Sequence, residues 1–365
     1  MKKLFALALT AVLLFTLCAC ANGGSDTTAP GTTERPATEA PKTEAHGTET
    51  PGTDAPRIDT NETLPPIVPQ PLELNVYSLK GPTSMGLVSL LRDSVKGNTE
   101  NTYVSTMCTA ADEVTAALIN GNADIALLPA NAAATLFNKA GGFSVVAINT
   151  LGVLYVVENG ESIQSVKDLA GKTVCLTGKG TTPEYALRYL LAAHGIEDQV
   201  TLEFKSEAQE VVAAMTENVA AVGVLPQPFA TAAMLQNEGL RQALDLTQEW
   251  NAVTQDSSLV TGVTVVRNEI LEQYPTQIAA FLREAASGVA YVNEHPEDAA
   301  MLIEDMGIVA KAAIAQKAIP YCNLVCITGS EMKTQLSGYL KTLYDQNPQA
   351  VGGNMPADEF YFVGE

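Results

Sequence analysis

Basic side chains are scarce. Lys and Arg total 21 against 41 Asp and Glu in 365 residues, a formal charge of −20. So acidic a surface argues against nucleic acid as a partner and mainly supports solubility. Histidine is rarer still, at His46, His194 and His295, and none of the six cysteines forms a CxxC pair, so the ligand sets of ordinary zinc sites are missing. Phosphate-binding motifs are missing too. Ahead of Gly171-Lys172-Thr173, Val166 stands where a P-loop needs its first glycine, and Lys179 is followed by Gly180 rather than Ser or Thr. A GxGxxG run is absent around Gly178 and Gly180, because Pro183 follows. Nucleotide hydrolysis is therefore not the expected activity.

What is present begins with Lys2 and Lys3 and an apolar run from Leu4 to Leu17, too short for a membrane span and the right size for a secretory signal. It ends in Leu17-Cys18-Ala19-Cys20, which resembles a bacterial lipobox. Small Ala19 precedes Cys20, the candidate for lipidation, whereas bulky Leu17 disfavours Cys18. Lipid chains contribute about 0.8 kcal/mol per buried methylene, enough to hold a protein at a membrane surface without a spanning helix. We expect a signal over residues 1–19 and a lipidated Cys20 opening a tether over 20–71. From residue 22 to 71 there are eleven Thr and nine Pro, including a five-residue Thr-Glu/Asp-rich repeat from Thr33 to Pro56 that holds His46. Such a composition cannot build a core and reads as an extended, disordered linker.

The folded part is expected from about Leu72 to the C-terminus. Short apolar runs alternate with helical patterns, which argues for an α/β fold with helices on both sheet faces. Leu72–Tyr77, Asp124–Leu128, Val145–Ile148, Val153–Val157 and Thr173–Thr177 read as strands. After the last, Gly178-Lys179-Gly180 turns into a helix with Thr182 as the expected N-cap, Pro183 at the first helical position and Leu187, Leu190 and Leu191 on one face. Free N–H groups of that turn would cradle an electron-rich group at the helix start. Cys175 reads as a small buried hydrophobe. Cys322 and Cys326 would stand about 13 Å apart if extended, too far to bond, and closer in a helix or turn; whether they pair stays open.

Four stretches together resemble the substrate-binding proteins of ABC importers in the nitrate, sulfonate, taurine and thiamine-precursor group. They are SVKDLAGKTVCLTGKGTTPEYALRYLLAAHGI, NGNADIALLPANAAA, AAMTENVAAVGVLPQPFATAA and VTVVRNEILEQYPTQIAAFLREAASGVAYVNEHPEDAAMLI. The likeness spans roughly residues 72–310 and weakens from Lys311. It implies a two-lobed, type II periplasmic-binding-protein-like fold with two interlobe crossovers. One lobe would hold 72–155 and 257–365, the other 156–256. Ligand would sit between the lobes at the C-terminal ends of strands. Candidate contacts are Gly81, Pro82, Thr83 and Ser84, Asn131, the run Gly178, Gly180, Thr181 and Thr182, Gln227, and Asn323 in an irregular turn after Pro320. Where that group commonly carries an acid before the Pro, this chain has Gln227, so no charge preference carries over. Trp250, Phe229, Tyr155 and Tyr321 could stack on a planar ligand, although core packing is the expected fate of each.

The resemblance implies a solute-binding protein, outside the cytoplasm and lipid-anchored to a bacterial membrane, with a small organic or anionic ligand and an ABC permease as partners. No cofactor and no metal are expected. The rival readings are a pyrimidine-forming enzyme on the same fold and a surface lipoprotein without transport. Enzymatic chemistry would rest on His194 or His295, neither of which falls in an expected cleft loop.

Overall fold

The computed structural model describes residues 70–254 and 257–364. From the amino side, β1 (Glu73–Leu79) leads through a one-turn helix, α1 (Pro82–Met85), into α2 (Val88–Val95). Then come β2 (Thr102–Cys108), α3 (Ala111–Ile119), β3 (Ile125–Pro129), α4 (Ala130–Ala140) and β4 (Phe143–Leu151). A second group follows: β5 (Leu154–Asn159), β6 (Thr173–Leu176), α5 (Thr182–Ala193), β7 (Thr201–Phe204), α6 (Ala208–Thr216), β8 (Val222–Pro226), α7 (Phe229–Gln236), β9 (Leu240–Asp245) and α8 (Leu246–Val253). The chain returns with β10 (Val260–Arg267), α9 (Asn268–Gln273), α10 (Pro275–Glu294), α11 (Pro296–Asp305), α12 (Ala312–Ala318), β11 (Leu324–Ile327) and α13 (Gly329–Gln346).

These strands make two sheets, ordered β11-β4-β10-β3-β1-β2 and β7-β6-β8-β5-β9. The chain passes between them twice, at Gly152-Val153 and between α8 and β10. The first passage lies slightly ahead of the Tyr155 boundary expected from sequence, because Leu154 and Tyr155 already pair with Pro226 and Leu225 of the second sheet. The passages run side by side: a Cβ on Gly152 would come within 2.7 Å of the Leu259 side chain. Glycine is needed there for close approach, not for an unusual backbone angle.

In the first sheet β1 and β3 are parallel, and both β3 and β4 are antiparallel to β10, so β1, β3 and β4 all point the same way. In the second, β6 and β8 are parallel, and β5 starts where β8 ends. Since β4 hands the chain to β5, the C-terminal edges of both sheets face the passage.

Asp124 sits at the opposite edge. Its carboxylate accepts from the Asn75 backbone N–H (2.8 Å) and side chain (3.1 Å) and pairs with Arg267 at 2.7 Å. The acid of the Gly-x-x-Asp stretch therefore fastens the N-terminal ends of β1 and β3 to β10 and has no access to the strand C-termini.

Helices cover both faces, and the apolar cores are unequal. One core runs through both sheets on the face of α4, α5, α8 and α13, with Val145, Ile148, Val156, Leu187, Trp250, Leu336 and Tyr339 in one contiguous cluster. On the other face each sheet has cores of its own, around Leu127 and Phe281 or Met85 and Ala315 in the first, and around Tyr155 and Val211 in the second. From α13, Met332, Leu336, Tyr339, Leu340 and Leu343 are fully buried. At about 1.5–3 kcal/mol per large apolar side chain, taken as upper estimates, they make this helix one of the firmest attachments in the molecule.

Candidate functional site

Each expected contact lies at a strand C-terminal edge, but they differ in what their polar atoms do. Gly81 and Pro82 are half-buried at the turn from β1 into α1. Thr83 and Ser84, expected as ligand contacts, are buried. Ser84 Oγ donates to the Leu79 carbonyl and lies 2.8 Å from Ser78 Oγ, while Thr83 Oγ1 lies 3.4 Å from the same carbonyl. Both are spent on closing the end of β1, since a buried hydroxyl must find a partner. Thr83 also faces a cavity of about 20 Å³ inside the first lobe, shared with Asn149 and Thr264, room for one water-sized group. Asn131 is half-buried in the first turn of α4, just beyond β3.

The turn after β6 satisfies itself. The N-cap of α5 is Thr181 rather than Thr182, and Pro183 is the second helical residue. Glu184 reaches back so that the Gly180 N–H donates to its Oε2 at 2.7 Å, and the Thr181 N–H donates to the Gly178 carbonyl at 2.9 Å. Thr181 Oγ1 donates to that carbonyl as well, at 2.7 Å. The expected cradle of free N–H groups is therefore corrected at Gly180 and Thr181, because the helix start already holds an anion, the Glu184 carboxylate. Burial pushes this carboxyl up, but the Gly180 N–H and the Arg188 guanidinium, which pairs at 2.7 Å, outweigh it and hold it below the usual range. Gly178 is tightly placed, with φ +77° and room for a Cβ only 2.9 Å from Pro183 Cδ. Thr182 turns toward the first lobe: the Tyr339 hydroxyl of α13 lies 3.3 Å from its Oγ1. Burial raises the Tyr339 phenol far above its ordinary range, so it stays protonated and able to donate.

Gln227 closes β8. Its backbone N–H donates to the Val153 carbonyl in the passage at 2.9 Å. The side chain is 1% exposed, and Oε1 accepts from the Thr231 N–H (3.3 Å) and hydroxyl (2.8 Å). A backbone N–H only donates, which fixes the oxygen on that side, and Nε2 is left buried without a partner. A lone buried donor costs about 1–3 kcal/mol.

Asn323, just ahead of β11, sits against the first passage. It adopts φ +47°, its Nδ2 donates to the Gly152 carbonyl at 2.6 Å, and its carbonyl accepts from the Leu151 N–H at 3.0 Å. The neighbouring Tyr321 is exposed and meets Tyr155 edge to face at 6.1 Å, while the Tyr155 hydroxyl donates to the Tyr321 carbonyl at 2.6 Å. Trp250 is fully buried between Tyr189 (4.4 Å) and Tyr339 (5.8 Å), so it packs rather than stacks on a ligand, and Phe229 is half-buried at the start of α7. Cys322 and Cys326 are free thiols, which answers the open question of their pairing; burial pushes the Cys322 thiol up to about 12.

His194 ends α5 away from its N-terminal turn, and His295 sits between α10 and α11 beside Tyr291. Neither is among the residues at the strand C-termini. Among the described residues no group of three or more His, Cys, Asp or Glu is placed to hold a metal ion, and no helix is long and apolar enough to cross a membrane. Cys20 and the tether lie outside the described residues.

Sequence reasoning missed Glu184, Gly152 and Tyr339. The last had a visible signal, since Met332, Leu336, Tyr339, Leu340 and Leu343 recur at helical spacing.

Two α/β sheets joined by two passages, with strand C-termini facing the junction, define a two-lobed protein of the type II periplasmic-binding-protein class. The chain belongs to the NMT1/THI5-like family, whose model matches residues 106–299. No curated protein sequence matches it. Among solved structures it is similar to an ABC transporter from Parabacteroides distasonis, at 23% identity over 80% of this chain and 99% of that one, with a TM-score of 0.69. The periplasmic aliphatic sulphonate binding protein SsuA from Escherichia coli is similar at 17% identity, over 81% of this chain and 95% of that one, with a TM-score of 0.62. The ligand-binding component of an ABC-type import system from Staphylococcus aureus, solved with zinc bound, is similar at 14% identity over 80% and 99%, with a TM-score of 0.58.

Proposed function

We propose that the protein is an extracytoplasmic solute-binding protein, held to the membrane through a lipid on Cys20, that captures a small organic or anionic ligand between its lobes and delivers it to an ABC permease. The observation that carries this reading is the unpartnered Gln227 Nε2 at the C-terminal end of β8. A donor left buried at that edge, in a fold whose strand C-termini face the junction, is best accounted for by an acceptor that arrives from outside. Gly81, Pro82, Asn131, Gly178 and Gln227 are the contacts we favour. Thr83, Ser84, Gly180, Thr181, Thr182 and Asn323 support them, because their polar groups are engaged within the protein. Lys179, exposed beside Gly178, supplies a cation at the edge, and the neutral Gln227 amide sets no charge requirement.

Binding is favoured over catalysis because neither histidine of the folded part stands near these residues. The test is native mass spectrometry of the purified protein, followed by thermal shift with the released compound and with a panel of sulfonates, nitrate and pyrimidines. A ligand that binds the folded state raises the melting temperature by mass action. Absence of any bound compound and of any shift across the panel would count against the reading.

A further inference from the structure

We propose that the C-terminal helix α13 pins the two lobes together along one face, so that they part only on the opposite face, between α7 and α12, and that this is where ligand enters. The proposal rests on the cleft-binding reading above and adds the direction of motion and the entrance.

Three observations carry it. First, α13 belongs by chain position to the first lobe, yet it is bonded to the second. The Tyr339 hydroxyl reaches Thr182 at 3.3 Å, and Asn347, just past the end of α13, donates from Nδ2 to the Tyr185 hydroxyl at 2.8 Å. Second, the apolar core on that face is continuous from lobe to lobe, with Trp250 of the second wedged against Tyr339 of the first. Third, the other face has no shared core. Ala315 and Ala318 of α12 sit in a cluster confined to the first lobe, and Ala230 and Ala233 of α7 in one confined to the second. The hydrogen bond from Tyr155 to the Tyr321 carbonyl crosses here, but it lies at the passage, close to any pivot.

Packed cores move between discrete arrangements rather than stretching. Separation on the α13 face would break the Trp250–Tyr339 contact and expose both rings to water. α7 and α12 also touch, but parting them leaves Ala230, Ala233, Ala315 and Ala318 packed in the cores of their own lobes. The pivot is therefore the α5/α8/α13 seam together with the two passages. Gln227, at the root of α7, lies on the side that opens.

The test is a distance measurement by pulsed electron spin resonance on the full chain, with spin labels on encoded non-cysteine side chains at exposed positions. One pair, Ala192 on α5 and Lys341 on α13, spans the seam; the other, Leu235 on α7 and Lys317 on α12, spans the entrance. With copurified ligand removed by unfolding and refolding, the seam pair is expected to give a single narrow distance and the entrance pair a broad or two-peaked one. A seam distribution as broad as that of the entrance, or two equally narrow distributions, overturns the proposal. Taurine serves as a probe in a second arm. A taurine response of the seam pair also overturns the pin. If neither pair responds, taurine is not a ligand, and the ligand-free comparison still decides the mechanics.

Discussion

Thr231 gives both its N–H and its hydroxyl to one oxygen of Gln227, and so dictates which way the buried carboxamide faces. Exchanging Gln227 for Glu keeps an acceptor toward Thr231 but replaces the unpartnered donor with a second acceptor. Loss of one hydrogen bond to a ligand, worth about 1.5–3 kcal/mol when charge-assisted, corresponds to roughly 10- to 150-fold in affinity. Gln227→Glu is expected to weaken binding of the copurified ligand by that order in titration calorimetry, and most strongly above the pKa of the new carboxyl. Unchanged affinity would remove Gln227 from the site.

The Glu184 carboxylate gives a pH signature. Its folded pKa lies below its unfolded value, so its contribution is fully present above the unfolded pKa and is lost as pH falls through the folded one. Glu184→Gln keeps an oxygen for the Gly180 N–H but loses the charge at the helix start and the pair with Arg188. We expect a loss of about 0.5–1 kcal/mol at neutral pH, read from urea unfolding. The gap to wild type should close as pH drops below the carboxylate range, and a gap independent of pH would refute the assignment.

Much of this was legible in the chain. Pro183 and the Leu187, Leu190, Leu191 stripe place α5 from sequence alone, and Pro320 followed by Tyr321-Cys322-Asn323 marks an irregular turn. What could not be read was how side chains answer backbone groups. Glu184 filling the helix start, and the Ser84 hydroxyl folding back on Leu79, depend on angles that spacing does not carry. The α13 stripe was visible, but its partners are β4 and α4 of its own lobe together with α5 and Trp250 of the other, and spacing along the chain does not show that the two lobes share it. The edge strand β2 escaped notice because its pattern is mostly exposed, with Thr102 and Val104–Thr106 facing outward.

Gly178 and Gly180 should respond differently to alanine. Both carry positive φ, at a cost of about 1–2 kcal/mol for a Cβ. Only at Gly178 does the added atom also meet Pro183, while at Gly180 nothing lies within 4 Å. Gly178→Ala is therefore expected to destabilise clearly more than Gly180→Ala in the same denaturant series. Equal losses would mean that the turn relaxes freely.

Cys20→Ala is expected to move the protein from the membrane fraction to the soluble one, with its melting temperature unchanged, because Cys20 precedes Gln70, the first described residue, by about fifty positions in sequence. Retention in the membrane fraction would place the anchor elsewhere.

The position of Trp250 has a practical side. It is the single tryptophan of the chain, and it stands in the seam rather than at the entrance. Its emission should report global unfolding and stay silent when ligand binds, so a fluorescence screen excited at tryptophan wavelengths would score true ligands as inactive. A reporter has to sit away from the pivot, which rules out the Tyr155 and Tyr321 pair at the passage as well and leaves an introduced probe at the exposed Leu235 of α7.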